Sequence, residues 1–92
     1  MDPAAKIKAR ADVVSSDLSD GAALLDLRSS MYYTVNPVGL HVWRTLQEPA
    51  QVADVVRSVS EAFDTTPEAC AADVAAMMDM FVAADLAEIV VA

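Results

Sequence analysis

The chain has 92 residues, 55% of them hydrophobic, and a formal net charge of −8. That length holds one domain with a modest core, and the apolar content excludes a disordered chain. No apolar run approaches the ~20 residues a bilayer crossing needs, and MDPAAKIKARADVV lacks the apolar stretch of a secretory signal, so a single cytoplasmic domain over residues 1–92 is expected.

Residues 7–35 read as three strands. Ile7–Ser15 carries β-branched Val13 and Val14 and is followed by the polar break SSDLSDG, whose Asp20-Gly21 pair can supply positive φ. Ala22–Arg28 alternates Leu25 and Leu27 against Asp26. Ser29-Ser30 is compatible with a two-residue hairpin connector, without the Gly or Asn such a turn favours. Met31–Val35 (MYYTV) is the strongest strand signal, because aromatic and β-branched side chains suit a pleated surface.

Asn36 is a good N-cap and Pro37 presets the first helical φ, so a helix is predicted over 37–47, with Val38, Val42, Trp43 and Leu46 on its apolar side. Pro49 closes it. A second helix, 50–63, places Val52, Val55, Val56, Val59 and Phe63 at helical spacing. Thr66 caps a third, alanine-rich helix over 67–84, whose stripe is Cys70, Val74, Met77, Met78 and Phe81, with Asp73 and Met80 on the adjacent flank. Leu86–Val91 reads as a last short extended segment. Three strands followed by three helices predict an α+β domain, a small antiparallel sheet packed against a three-helix bundle.

The charge is unevenly placed. Residues 1–46 hold five basic and five acidic side chains, whereas residues 47–92 hold Arg57 against nine acids and so carry the whole excess. That half repels phosphate, which argues against nucleic-acid binding. The third helix, with Asp73 and Asp79 and no Lys or Arg, is ill suited to read DNA even if the layout allows a winged-helix regulator. No catalytic constellation is found. Cys70 sits on an apolar stripe and reads as an inert buried thiol; a lone cysteine makes neither a disulfide nor a multi-cysteine zinc site. His41 lies between Leu40 and Val42 with no neighbour suggesting a base or ligand, and Asp73, Asp79 and Asp85, six apart, do not share a helix face. With only Gly21 and Gly39 there is no phosphate loop. No enzyme activity, metal or cofactor is expected.

What remains is surface for a partner. A strand at Met31–Val35 that ends the sheet offers unpaired N–H and C=O groups, and an extended peptide can use such an edge by adding a strand. The third helix would supply side-chain pockets beside it. Val74, Met77 and Phe81 read mostly as core, and Asp73, Met80 and the adjoining alanines as groove wall. A dimerisation module built on the same helix is a further reading, which can coexist with peptide binding.

The stretch LLDLRSSMYYTVNPVGLHVWRTL, residues 24–46, resembles the signature of the PqqD-like family: Leu24-Leu25-Asp26, Tyr32-Tyr33, Val35-Asn36, Gly39 and Val42-Trp43 fall in its order and spacing. Phe63, Ala72-Asp73-Val74 and Met80-Phe81-Val82 continue the match, which covers about residues 6–91. The resemblance implies a winged-helix-like precursor-recognition element. Such domains are non-catalytic and bind the leader of a ribosomally made precursor peptide as an extra strand. Asp26-Leu27-Arg28 and the helix start at Asn36 are most similar to the stand-alone leader-binding proteins of lasso peptide biosynthesis. These present the leader to a cysteine-protease-like leader peptidase, while an ATP-dependent cyclase closes the ring. The other branch is the pyrroloquinoline quinone protein D type, which serves a radical enzyme. Carried over by position, the leader would meet Met31, Tyr32, Tyr33, Thr34 and Val35 on the strand and Asp73, Ala76, Met77 and Met80 on the helix. Tyr32 and Thr34 would point one way and Met31, Tyr33 and Val35 the other.

Overall fold

The computed structural model describes residues 4–90. In chain order its elements are β1 (Lys6–Ala9), β2 (Val13–Leu18), β3 (Gly21–Asp26), β4 (Tyr32–Val35), α1 (Pro37–Thr45), β5 (Ala50–Gln51), α2 (Val52–Ala62), α3 (Pro67–Ala83) and β6 (Ala87–Val90). The α+β class stands, with the antiparallel sheet β2-β3-β4 preceding three helices. A second antiparallel sheet, β5-β1-β6, adds to it.

That second sheet corrects two expectations and gives a third, the extended terminal segment, its partner. Ile7–Ser15 is not one strand. The chain turns at Arg10, whose carbonyl accepts from the Val13 N–H at 3.3 Å, and the two halves join different sheets. Ala50 and Gln51 lie outside the second helix and pair with Ile7 and Lys6. The terminal segment becomes β6, matching Ala87–Val90 against Lys6–Ala9; the predicted extension to Val91 lies outside the described residues. The alternate burial of Ile7 and Ala9 supplies this sheet's contribution to the core.

The polar break is also strand. β2 runs through Ser15, Ser16 and Asp17 to Leu18 and pairs residue for residue with β3. An outer strand needs only a backbone partner, so its exposed positions tolerate polar side chains that otherwise read as a loop. The β3–β4 connection is longer than two residues. The Asp26 N–H still donates to the Met31 carbonyl at 2.9 Å, which leaves Leu27 to Ser30 as the loop, and Ser30 takes the left-handed conformation at φ 61°.

The first and third helices start where Asn36 and Thr66 predict, and the second starts two residues later than expected, at Val52 behind a capping box of Gln51 and Asp54. Asn36 Oδ1 accepts from the Gly39 N–H at 2.8 Å, Thr66 Oγ1 accepts from the Ala69 N–H at 3.1 Å, and Asp54 Oδ2 accepts from the Gln51 N–H at 3.1 Å. These caps hold α1 against β3 and α3 against α2 and β6. Between them Phe81, Ile7, Leu24, Leu46, Met78 and Leu86 are fully buried, and Trp43 meets Phe81 edge-on with ring centroids 5.7 Å apart. Cys70 is buried as expected.

Gly21 ties the two hairpins together. Its φ of +127° is open to glycine alone, and a Cβ there would lie 1.8 Å from the Val35 carbonyl oxygen. Gly21→Ala is therefore expected to destabilise the fold by ~3 kcal/mol, through forced displacement of β4 as well as backbone strain. Urea denaturation measures this; a loss below ~1 kcal/mol would show that β4 is not held against Gly21.

Candidate functional site

β4 is an outer strand: β3 pairs with one side of it, and no described strand pairs with the other. The ladder decides what that second side offers. Because Asp26 N–H donates to Met31 O, the pair Asp26–Met31 is a hydrogen-bonded one, and such pairs recur every second residue in an antiparallel ladder. Leu24–Tyr33 and Ala22–Val35 therefore exchange bonds, while Tyr32 and Thr34, opposite Leu25 and Ala23, turn their N–H and C=O groups outward. Two donors and two acceptors thus line the open edge.

Side chains follow the same alternation. Tyr33 and Val35 pack against the core, while Tyr32, 69% exposed, and Thr34 sit on the outer face. Tyr32 lies there with Val14, Ala23 and Leu25.

The wall facing the inner side of the edge is α3. Met77, Met80, Phe81 and Ala84 follow at i, i+3, i+4 and i+7, one stripe of a helix. Ala84, just past the helix end, keeps to that stripe. Met77, Met80 and Phe81 close a cavity of about 180 Å³ with Thr34, Val35 and Gly39. Ala84 and Asp85 close a second, of about 360 Å³, with Met31, Tyr33 and Arg28. Since Met77 lines the first with Val35 and Ala84 lines the second with Tyr33, α3 runs antiparallel to β4, and the two cavities follow one another along β4, together making the groove beside the open edge. Phe81, fully buried, is its floor. Gly39 allows α1 to approach, because a Cβ there would come within 2.8 Å of Val35 Cβ.

The groove is apolar at the Val35 end and charged at the Met31 end. There Asp26, only 5% exposed, accepts from Arg28 Nη2 at 3.1 Å, from Arg28 Nε at 3.2 Å and from the Arg28 backbone N–H at 2.9 Å. These hydrogen bonds outweigh the cost of burial and hold the Asp26 carboxyl below its usual range. In return they raise the Arg28 guanidinium above its ordinary value.

Of the residues predicted from sequence, Met31, Tyr33, Thr34, Val35, Met77 and Met80 come together along this groove. Tyr32 contributes backbone at the edge while its side chain faces away. Asp73 and Ala76 are exposed one turn nearer the helix start, outside both cavities. Gly39, Phe81, Ala84, Asp85 and Arg28 were not singled out as groove residues. The stripe extended by one turn from Met77 and Met80 would have found Phe81 and Ala84; nothing in sequence places Arg28 beside Asp85. Among the described residues, no group of three or more His, Cys, Asp or Glu side chains could hold a metal ion, and no helix is long and apolar enough to cross a membrane.

A small α+β domain with an open strand edge beside a helix-walled groove is the arrangement to be matched. The chain belongs to the coenzyme PQQ synthesis protein D (PqqD) family, whose sequence profile matches residues 21–87. No curated relative matches it in sequence. Two solved structures share the fold. TbiB1, in complex with the TbiA(beta) leader peptide, is 22% identical, with 88% of this chain and 94% of that chain covered at a TM-score of 0.75. A lasso peptide synthetase B1 complexed with its leader peptide is 21% identical, with 88% and 95% covered at a TM-score of 0.72.

Because the folded state lowers the Asp26 pKa, ionised Asp26 stabilises the fold above its ordinary value of 3.8, and that contribution is lost as the pH falls through the lower folded value. Thermal melts from pH 7 to pH 2 are expected to show this loss below about pH 4. Asp26→Asn should start less stable at neutral pH and vary less over the acidic range; equal acid dependence in the two proteins would rule out the Asp26–Arg28 contribution.

Proposed function

We propose that this chain is a non-catalytic recognition domain that binds the leader of a ribosomally synthesised precursor peptide as a fourth strand beside β4. The observation that carries the reading is the coincidence of the outward N–H and C=O groups of Tyr32 and Thr34 with the groove under Met77, Met80 and Phe81. Backbone bonds supply affinity without regard to sequence, and alternate leader side chains enter the groove and supply selectivity. The methionines suit this task, since flexible polarizable side chains adapt to different apolar guests. Asp73, exposed past the apolar end, pairs a basic leader residue, a contact worth ~0.2–1 kcal/mol in solvent.

Family membership and the two leader-bound structural neighbours support this reading. Both neighbours hold a leader peptide and one is a lasso peptide synthetase B1, which favours a lasso peptide precursor. The bound leader is then presented in the cytoplasm to a cysteine-protease-like leader peptidase and to the ATP-dependent cyclase. The family's own description favours a second reading, in which the peptide is a quinone-cofactor precursor handed to a radical enzyme. A groove complete within one copy makes a homodimer unnecessary for either.

Thr34→Pro is the direct test. It removes an outward donor and sets a ring in the path of the added strand, yet breaks no bond to β3. Leader affinity measured by fluorescence anisotropy is expected to fall at least ~10-fold with the melting temperature little changed. Tyr33→Pro, by contrast, removes a bond of the β3–β4 ladder and should destabilise the sheet itself. A folded Thr34→Pro protein that binds leader as the native chain does would exclude strand addition at β4.

A further inference from the structure

The charged end of the groove contains a contact that joins its two walls. Arg28 belongs to the β3–β4 loop, and its Nη2 donates to the Asp85 carbonyl at 2.8 Å, in the turn that follows α3. We propose that Arg28 is a positioning residue of the binding groove, fixing the gap between β4 and the C-terminal end of α3. The proposal rests on the leader-binding reading above.

Three observations support it. First, Arg28 is itself anchored: its guanidinium forks onto Asp26. Asp12 Oδ2, 3.0 Å from Nε, adds charge beside the fork without forming it. Asp26 is buried in the sheet, so the fork fixes the guanidinium relative to β3 and, through the ladder, to β4. Second, the receiving carbonyl is equally fixed. Asp85 sits at φ 59° just after α3, its N–H donates to Val82 O at 3.1 Å, and the Leu86 N–H donates to Phe81 O at 2.8 Å. That pair of bonds is a Schellman motif, which holds the Asp85 peptide rigidly at the helix end. Third, both partners of the bond line the cavity that Met31, Tyr33 and Ala84 also line, so the link joins the strand side of that cavity to its helix side.

Arginine is the residue this requires. A planar fork grips a carboxylate with two N–H groups and still has others to reach a carbonyl in another direction, whereas a lysine ammonium is a point charge on a flexible stem. Arg28→Lys therefore keeps a positive charge near Asp26 and Asp12 but loses the link to Asp85. Asp12→Asn does the reverse.

The test compares these variants at a temperature where circular dichroism shows all of them fully folded. The probe is a fluorescein-labelled synthetic leader peptide, the tightest binder among candidate precursor leaders titrated against the native protein, read by anisotropy. Arg28→Lys and Arg28→Met are expected to bind at least ~10-fold more weakly, with Asp12→Asn within ~2-fold of the native protein. In the peptide-free protein, nuclear Overhauser contacts between the Tyr33 ring and the Ala84 methyl should weaken in Arg28→Lys and persist in Asp12→Asn. Native affinity in Arg28→Lys, or an equal loss in Asp12→Asn, would overturn the proposal. If the native protein binds no leader, the functional reading fails. The Tyr33–Ala84 contacts then decide alone whether Arg28 sets the gap, and their survival in Arg28→Lys would refute it.

Discussion

The hydrogen-bond parity of one ladder governs this structure. Once Asp26 donates to Met31, every second residue of β4 is committed to β3, and the residues between must face the other way. Tyr32 and Thr34 are those residues. Their side chains go to the outer face while Tyr33 and Val35 go to the core, so one alternation separates what binds backbone from what shapes the groove. Gly21 holds this arrangement in register. Its positive φ and missing Cβ let the β2–β3 hairpin close against the last residue of β4, where any side chain would collide with the Val35 carbonyl.

The groove is then a product of three separate local decisions. Asn36 caps α1 immediately after β4, with Gly39 beside Val35. Thr66 starts α3, and seventeen residues of helix carry Met77, Met80 and Phe81 past the edge. The Schellman turn at Asp85 ends that wall opposite the β3–β4 loop. None of these alone makes a binding surface. Their combination places apolar, adaptable side chains under an edge whose backbone groups lack a strand partner.

Much of this was legible in the sequence because its signals are local. Asn36-Pro37 and Thr66-Pro67 mark helix starts through capping chemistry, and the Tyr32–Val35 strand announces itself by residue type. Hence the strand and helix that border the groove were both identified. What was missed depends on distant partners. Lys6–Ala9 pairs with residues some eighty positions away, and no local pattern separates it from Val13–Leu18. The polar strand Ser15–Asp17 reads as a loop because its stability comes from β3, not from its own side chains. Arg28 and Asp85 are 57 positions apart and meet through a backbone carbonyl, which carries no residue identity to read. Asp73 and Ala76 were placed in the groove by resemblance; Asp73 shares the phase of Met77 and Met80 but lies a turn before them, and Ala76 lies on the flank, so neither lines a cavity.

An open edge is also a template for uncontrolled stacking of like chains, and small domains that keep one need some protection from it. Here the protection is electrostatic. The entire excess of eight negative charges lies in the second half of the chain, and α3, which borders the edge, exposes Asp73 and Asp79. Net charge of this sign is shared by every copy of the chain, so it works against the stacking of like edges. The acidity of the second half and the bare edge of β4 are in this sense two parts of one colloidal balance.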